Sequence, residues 1–200
     1  MSEMDLSRLE TEQRNPETMD IDSVSTVEII EKINNEDNKV AAIVRGQRHA
    51  IAALVDACAP RLIAGGRLIY IGAGTSGRLG ILDATECLPT FGVSPELIQG
   101  VMAGGVEAIF KAKEGAEDSV ELAVADLKAL NLNERDTVVG LAASGRTPYV
   151  IGGLDYARHQ GALTGSICCV SHAEVSAHAD YPIEVVTGAE AITGPTRMKA

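Results

Sequence analysis

Along this chain the spacing of apolar residues changes twice, and each change predicts a different kind of element. Residues 1–24 are polar, with Asn15-Pro16 breaking any helix, and read as an extended arm. Ser25-Thr-Val-Glu28 has the spacing of a capping box, which predicts a short helix through about Asn34. Val40, Ile43, Val44, Ile51, Leu54 and Val55 then recur at helical intervals, predicting a longer helix from Val40 to Leu62. Beyond that, short apolar runs near 67–71, 97–102, 136–141, 164–170 and 182–186 read as strands. Helical patterns near 77–87, 105–112, 117–130 and 148–160 alternate with them, and Gly65-Gly66, Gly104-Gly105 and Gly161 mark the joins.

Alternation of this kind predicts an α/β fold: a parallel sheet in a three-layer sandwich, with helices on both faces. An N-terminal arm and helices would occupy residues 1–62, and a ligand-binding domain residues 63–200. In such a sheet, ligands sit outside the carboxyl ends of the strands. The segment Ala191-Ile-Thr-Gly-Pro-Thr-Arg-Met-Lys-Ala200 reads as a strand end, a turn and a helix barely begun, so a longer natural chain is expected.

Two strand-to-helix joins carry the candidate chemistry. In Leu68-Ile-Tyr-Ile-Gly-Ala-Gly-Thr-Ser-Gly-Arg-Leu-Gly80, Gly72 and Gly74 let the backbone turn sharply and approach a ligand. Thr75 and Ser76 then bring hydroxyls to a helix start, where unpaired N–H groups and the positive end of the helix dipole favour an anion. Thr137-Val-Val-Gly-Leu-Ala-Ala-Ser-Gly-Arg-Thr-Pro148 repeats the plan, with Pro148 suited to a first helical turn. Gly72-Ala-Gly-Thr-Ser-Gly77 also fits the dinucleotide fingerprint, but that reading expects an acidic residue at a strand end about 20 residues later. Here that region is Thr90-Phe-Gly-Val-Ser-Pro95, with Glu96 after it and no strand ending in an acid. Hydroxyls in both turns favour one phosphomonoester held between two strand ends.

The formal net charge of −11 argues against nucleic acid and anionic membranes as partners, and demands local positive potential at a phosphate site. Arg78, Arg146, Arg197 and Lys199 lie in or beside the glycine- and hydroxyl-rich turns. No run reaches the 18 or so apolar residues of a membrane span, and the acidic N-terminus lacks the apolar stretch of a secretory signal. Cys58, Cys87, Cys168 and Cys169 show neither metal-type nor disulfide-framework spacing, which places the chain in a reducing cytoplasm. His49, His159, His172 and His178 lack ligand spacing, so no metal and no cofactor are expected. On spacing alone Asp83, Glu86, Glu114, Glu117 and Asp118 are equally placed to act as acid/base carboxylates.

Several long motifs together resemble the N-acetylmuramic acid 6-phosphate etherase family, in the sugar isomerase domain group. They are Leu9-Glu-Thr-Glu-Gln-Arg-Asn-Pro16, Ile21-Asp-Ser-Val-Ser-Thr26, Ile33-Asn-Asn-Glu-Asp37, Gly72 through Ala84, Glu114-Gly-Ala-Glu-Asp118, Ala143-Ser-Gly-Arg-Thr-Pro-Tyr-Val150 and Ile192 through Ala200. Pro195 departs from the pattern, which more often has a hydroxyl residue there. The resemblance implies a phosphosugar-binding α/β fold, a homodimer, and cleavage of the ether joining D-lactate to C3 of the sugar. It implies Glu86 as the acid that protonates departing lactate and Glu117 as the base at C2. Gly74, Thr75, Ser76, Gly77, Arg78, Ser144, Gly145, Arg146 and Thr147 would bind the phosphosugar.

The chemistry suits such groups, because the ether lies β to the latent aldehyde of the open-chain sugar. An aldose–ketose isomerase would use the same C2 proton, and a phosphosugar sensor would need no carboxylate pair. One geometric tension remains. Glu86 lies ten residues beyond Ser76, roughly 15 Å along a straight helix at ~1.5 Å per residue. Either the chain folds back, or Glu86 serves the site of a neighbouring subunit.

Overall fold

The computed structural model describes residues 10–194 and 198–200. Arg197 and Pro195, and with them the expectations placed on them, lie outside the described residues.

Five short strands form one parallel sheet: β1 (Leu68–Gly72), β2 (Ile98–Met102), β3 (Thr137–Leu141), β4 (Leu163–Cys168) and β5 (Tyr181–Glu184). Their order is β2-β1-β3-β4-β5, with Leu68 opposite both Ile98 and Thr137, and Gly72 opposite both Met102 and Leu141. The chain steps from β1 to one side for β2, then returns to the other side for β3. The carboxyl ends of β1 and β3 therefore flank the crevice that such a reversal of strand order opens.

Side-chain alternation divides the core between the two faces of the sheet. Ile69, Ile71 and Val138 point into a cluster with Leu127, Val150 and Leu154, contributed by α5 (Val120–Ala129) and α6 (Pro148–His159). Tyr70, Val139 and Ile183 point the other way, against Leu54 and Cys58 of α2 (Arg48–Ile63). Next to α2 on that face, α3 (Gly74–Phe91) packs on β1 and β2, closely enough that Gly100 leaves no room for a methyl group beside the Ile81 backbone. Two short helices, α4 (Val106–Phe110) and α7 (Glu174–Ala177), lie in the connections.

At the end of the sheet opposite the crevice, Asp136 lies just ahead of β3 and is fully buried. It accepts bonds from Arg67 Nε at 2.9 Å, Arg67 Nη2 at 2.6 Å and the Arg67 backbone N–H at 3.0 Å. Burial pushes this carboxyl up, but the Arg67 and Asn133 hydrogen bonds outweigh it and hold the group below its ordinary range. The pair ties the starts of β1 and β3 together.

The expected strands all form, with ends displaced by one or two residues. The N-terminal helices differ from expectation. The capping box at Ser25 is present, but α1 runs from Thr26 to Gly46 without a gap at 35–39, and the break falls at Gln47. The polar stretch stays helical because Glu36 is buried by tertiary contacts and Asn38 Nδ2 donates to Asn34 Oδ1 at 3.1 Å. Local propensity yields to packing there. Nor are residues 10–24, the described part of the arm, extended. Residues 10–12 and 16–18 form two short 3₁₀ turns with Thr11, Asn15 and Thr18 buried. Asn15 Nδ2 donates to the Ala189 carbonyl at 3.1 Å, and Thr18 Oγ1 to that of Ala191 at 2.7 Å. Among the described residues, no helix is long and apolar enough to cross a membrane.

Candidate active site

The first turn is shaped by close backbone approach. Ala73 leaves β1 extended, Gly74 adopts φ +55°, and α3 starts at once. A Cβ on Gly77 would lie 2.8 Å from the Gly72 carbonyl oxygen, so only glycine lets the first turn of α3 sit against the strand end. Gly77 is thus buried beneath the turn, while Thr75 and Ser76 are half-buried above it. The second turn is built in the same way. Gly145 has φ +70°, and a Cβ there would meet Ala173 Cβ at 2.5 Å. Pro148 opens α6, and the side chain of its cap residue, Thr147, makes no capping bond to the helix.

These turns face one another across a cavity of about 370 Å³ lined by Gly74, Thr75, Ser76, Ser144, Arg146 and Thr147, together with Glu117, Glu12 and Gly194. A second cavity, about 230 Å³, adjoins it through Gly74 and Thr75 and is lined by Arg78, Lys113, Glu114 and Glu117. A third, about 220 Å³, is lined by Glu117, Asp118, Ser144, Arg146 and Thr147. Glu117 therefore lines all three. It sits on the 3₁₀ turn Ala116–Asp118, entered through Gly115 at φ +74° and followed by α5. Two helix N-termini, several hydroxyls and the Arg146 guanidinium can hold a dianion, with a carboxylate beside them.

The other sequence-predicted residues fall differently. Gly77 and Gly145 shape the backbone from beneath. Arg78 borders the second cavity, but its Nε and Nη2 donate to the carbonyls of Ile109 and Ala108, each at 2.8 Å, so it fastens the end of α4. Lys199 bonds Glu36 rather than reaching the cavity. Glu86 is exposed on α3, an uninterrupted helix, and borders none of these cavities. The chain does not fold back to bring it in. Asp83 shares that outer part of α3, whereas Glu114 and Asp118 each border one cavity. Glu12 and Gly194 were not singled out as site residues, because the motifs that hold them, Leu9–Pro16 and Ile192–Ala200, lie far in sequence from the two turns they meet across the cavity. A further cavity, about 500 Å³ between α2 and the sheet, has apolar walls including Leu54, Cys58 and Val139, unlike the polar walls of the crevice.

The parallel sheet with its crevice between β1 and β3 is that of a sugar isomerase domain. Residues 50–158 match the family model described as the glucokinase regulatory protein N-terminal SIS domain. A phosphoheptose isomerase from Francisella tularensis shares the fold, with a TM-score of 0.66 at 16% identity over 88% of this chain and 89% of that one. In sequence, the chain is 60% identical over 195 residues to an N-acetylmuramic acid 6-phosphate etherase of Clostridium botulinum, covering 98% of this chain and 65% of the relative. It is also 60% identical over 197 residues to one of Lactobacillus gasseri, covering 98% and 66%. The chain belongs to the N-acetylmuramic acid 6-phosphate etherase family. It spans 65–66% of the length of these relatives.

Proposed function

We propose that this protein is a carbon–oxygen lyase that removes D-lactate from C3 of N-acetylmuramic acid 6-phosphate, leaving N-acetylglucosamine 6-phosphate, in cell-wall amino-sugar recycling in the cytoplasm. The observation that carries this reading is the position of Glu117, which borders every part of the crevice between the two hydroxyl-bearing turns. Residues 63–200 act as the phosphosugar domain, with residues 1–62 as its arm and helices.

The 6-phosphate is received by the N–H groups and hydroxyls of Gly74, Thr75 and Ser76 at the start of α3, and by Ser144, Arg146 and Thr147 before α6, on turns that Gly77 and Gly145 shape while their own N–H groups donate to the Ala73 and Ala142 carbonyls. Arg78 keeps the α4 side of that turn in place. With the sugar opened, the C1 aldehyde acidifies the proton on C2. Glu117 takes that proton, the C2–C3 double bond forms, and the C3–O bond breaks with its electrons going to the lactate oxygen. Glu86 protonates that oxygen. Water then adds its oxygen to C3 and a proton returns to C2. The sequence is redox-neutral overall and consumes only water.

Glu86 lies about 15 Å along α3 from Ser76 at ~1.5 Å per residue. A homodimer in which Glu86 completes the neighbouring subunit's site resolves that separation. A sensor that only binds phosphosugars would need the cradle but not Glu117.

The test is incubation with N-acetylmuramic acid 6-phosphate in ¹⁸O-water. Release of D-lactate with label on the C3 hydroxyl is expected. Lactate release without label would overturn elimination and hydration, and tight binding without turnover would favour the sensor.

A further inference from the structure

The far wall of the crevice comes from the N-terminal arm, and the structure holds that arm in place with more bonds than a passive tail requires. Glu12 borders the main cavity alongside Gly194, across from the two phosphate-binding turns. On one side of Glu12, Glu10 Oε1 accepts from Ser171 Oγ at 2.5 Å, and Thr11 is fully buried. On the other side, Asn15 and Thr18 bond the carbonyls of Ala189 and Ala191. Beneath this junction, Glu190 is fully buried and accepts the backbone N–H groups of Met198, Lys199 and Ala200 at 3.1, 3.1 and 3.3 Å. Lys199 Nζ pairs with Glu36 of α1, each side chain only 3% exposed. An ion pair buried this deeply is a poor source of net stability but a good specifier of geometry. Here it joins α1, the arm and the segment after β5 in one knot next to the cavity.

We propose that Glu12 is a sugar-contacting residue of this crevice, presented by the arm, and that the Glu36–Lys199 pair positions it. The inference rests on the phosphosugar reading above. A carboxylate only accepts hydrogen bonds and repels other anions at short range. Phosphate belongs with Arg146 and the helix N-termini, so the part of the ligand that meets Glu12 is uncharged and donates: a hydroxyl of the sugar chain. Two carboxylates, Glu117 and Glu12, then flank the neutral middle of a molecule whose phosphate is anchored between them and the strand ends. Glu12 thereby selects a hydroxylated chain and disfavours a second anionic group at that position.

The test compares two probes, N-acetylglucosamine 6-phosphate and inorganic phosphate, by calorimetric titration. Glu12→Ala is expected to weaken the phosphosugar at least tenfold while leaving inorganic phosphate within twofold. Glu36→Gln/Lys199→Met removes both buried charges and is expected to reproduce that selective loss without touching the crevice. Thr18→Val, which deletes the Thr18 Oγ1 bonds to the carbonyls of Ala191 and Asn15, tests the arm's placement if the double variant fails to fold. Unchanged phosphosugar binding in Glu12→Ala, or equal loss of both probes, would overturn the contact. Wild-type-like binding in a folded latch variant would overturn the positioning role. Failure of the wild-type protein itself to bind any phosphosugar would instead strike the functional reading beneath both.

Discussion

A methyl group on Gly77 would lie 2.8 Å from the carbonyl oxygen of Gly72 and 3.0 Å from Met102 Cγ, so strand end and helix start are in contact with nothing to spare. Gly77→Ala must push the first turn of α3 away from β1. The expected cost is about 1–3 kcal/mol of stability from overpacking, together with loss of phosphosugar binding beyond what the lower stability explains. Urea unfolding and titration of the same preparation separate the two effects.

Arg67 and Asp136 close the opposite end of the sheet. Asp136→Asn leaves Arg67 facing a neutral amide inside a network built for a carboxylate. A loss of about 3 kcal/mol is expected, seen as a lower urea midpoint with an unchanged slope. Phosphosugar affinity of the folded fraction should stay as in the wild type, because the pair lies at the amino ends of β1 and β3, away from the crevice. A selective loss of affinity would show that the two ends of the sheet are coupled.

Burial raises the Glu36 carboxyl, but hydrogen bonds from Lys199, Lys39 and Asn15 more than offset this and bring it down to about 2 from 4.5. A carboxyl lowered by folding contributes stability that is complete above its unfolded value and is lost as pH falls through the folded one. The window is therefore pH 4.5 down to about 2. Melting temperature followed across that window should fall less steeply in Glu36→Gln than in the wild type. Parallel curves would remove Glu36 from the acid response.

Glu86→Gln and Arg146→Ala should each lower lactate release by on the order of a hundredfold, the range expected for a missing acid or anchor. If the site is shared between two subunits, mixing the two proteins rebuilds one intact site in each mixed dimer. Statistical mixing would then restore about a quarter of wild-type activity in a symmetric dimer. No recovery in verified mixed dimers would place Glu86 outside the neighbouring site.

Hydrophobic period and glycine punctuation were enough to specify the parallel sheet, its flanking helices and the two hydroxyl-bearing turns. These features are local: a short apolar run, a glycine that permits a tight turn, and a hydroxyl at a helix start sit next to one another in the chain. What lay beyond local reading were groups that meet only after folding. Glu117 was singled out over Glu114 and Asp118 by family resemblance alone, and the crevice that it borders on every side arises from three separate connections. Arg78, read as a phosphosugar-binding cation, borders the second cavity while its Nε and Nη2 donate to the carbonyls of Ile109 and Ala108. Glu12 lay in a motif of the family resemblance but nothing in it pointed to the crevice, and the polar stretch at 35–39 looked like a helix break because the buried partner of Glu36, Lys199, lies 163 residues away. Sequence by itself determined the layers and the cradle, since backbone geometry and side-chain periodicity are short-range. Tertiary structure alone decided which charges face the crevice and which are spent holding its walls, because desolvation and ion pairing depend on neighbours that the chain brings together only when it folds.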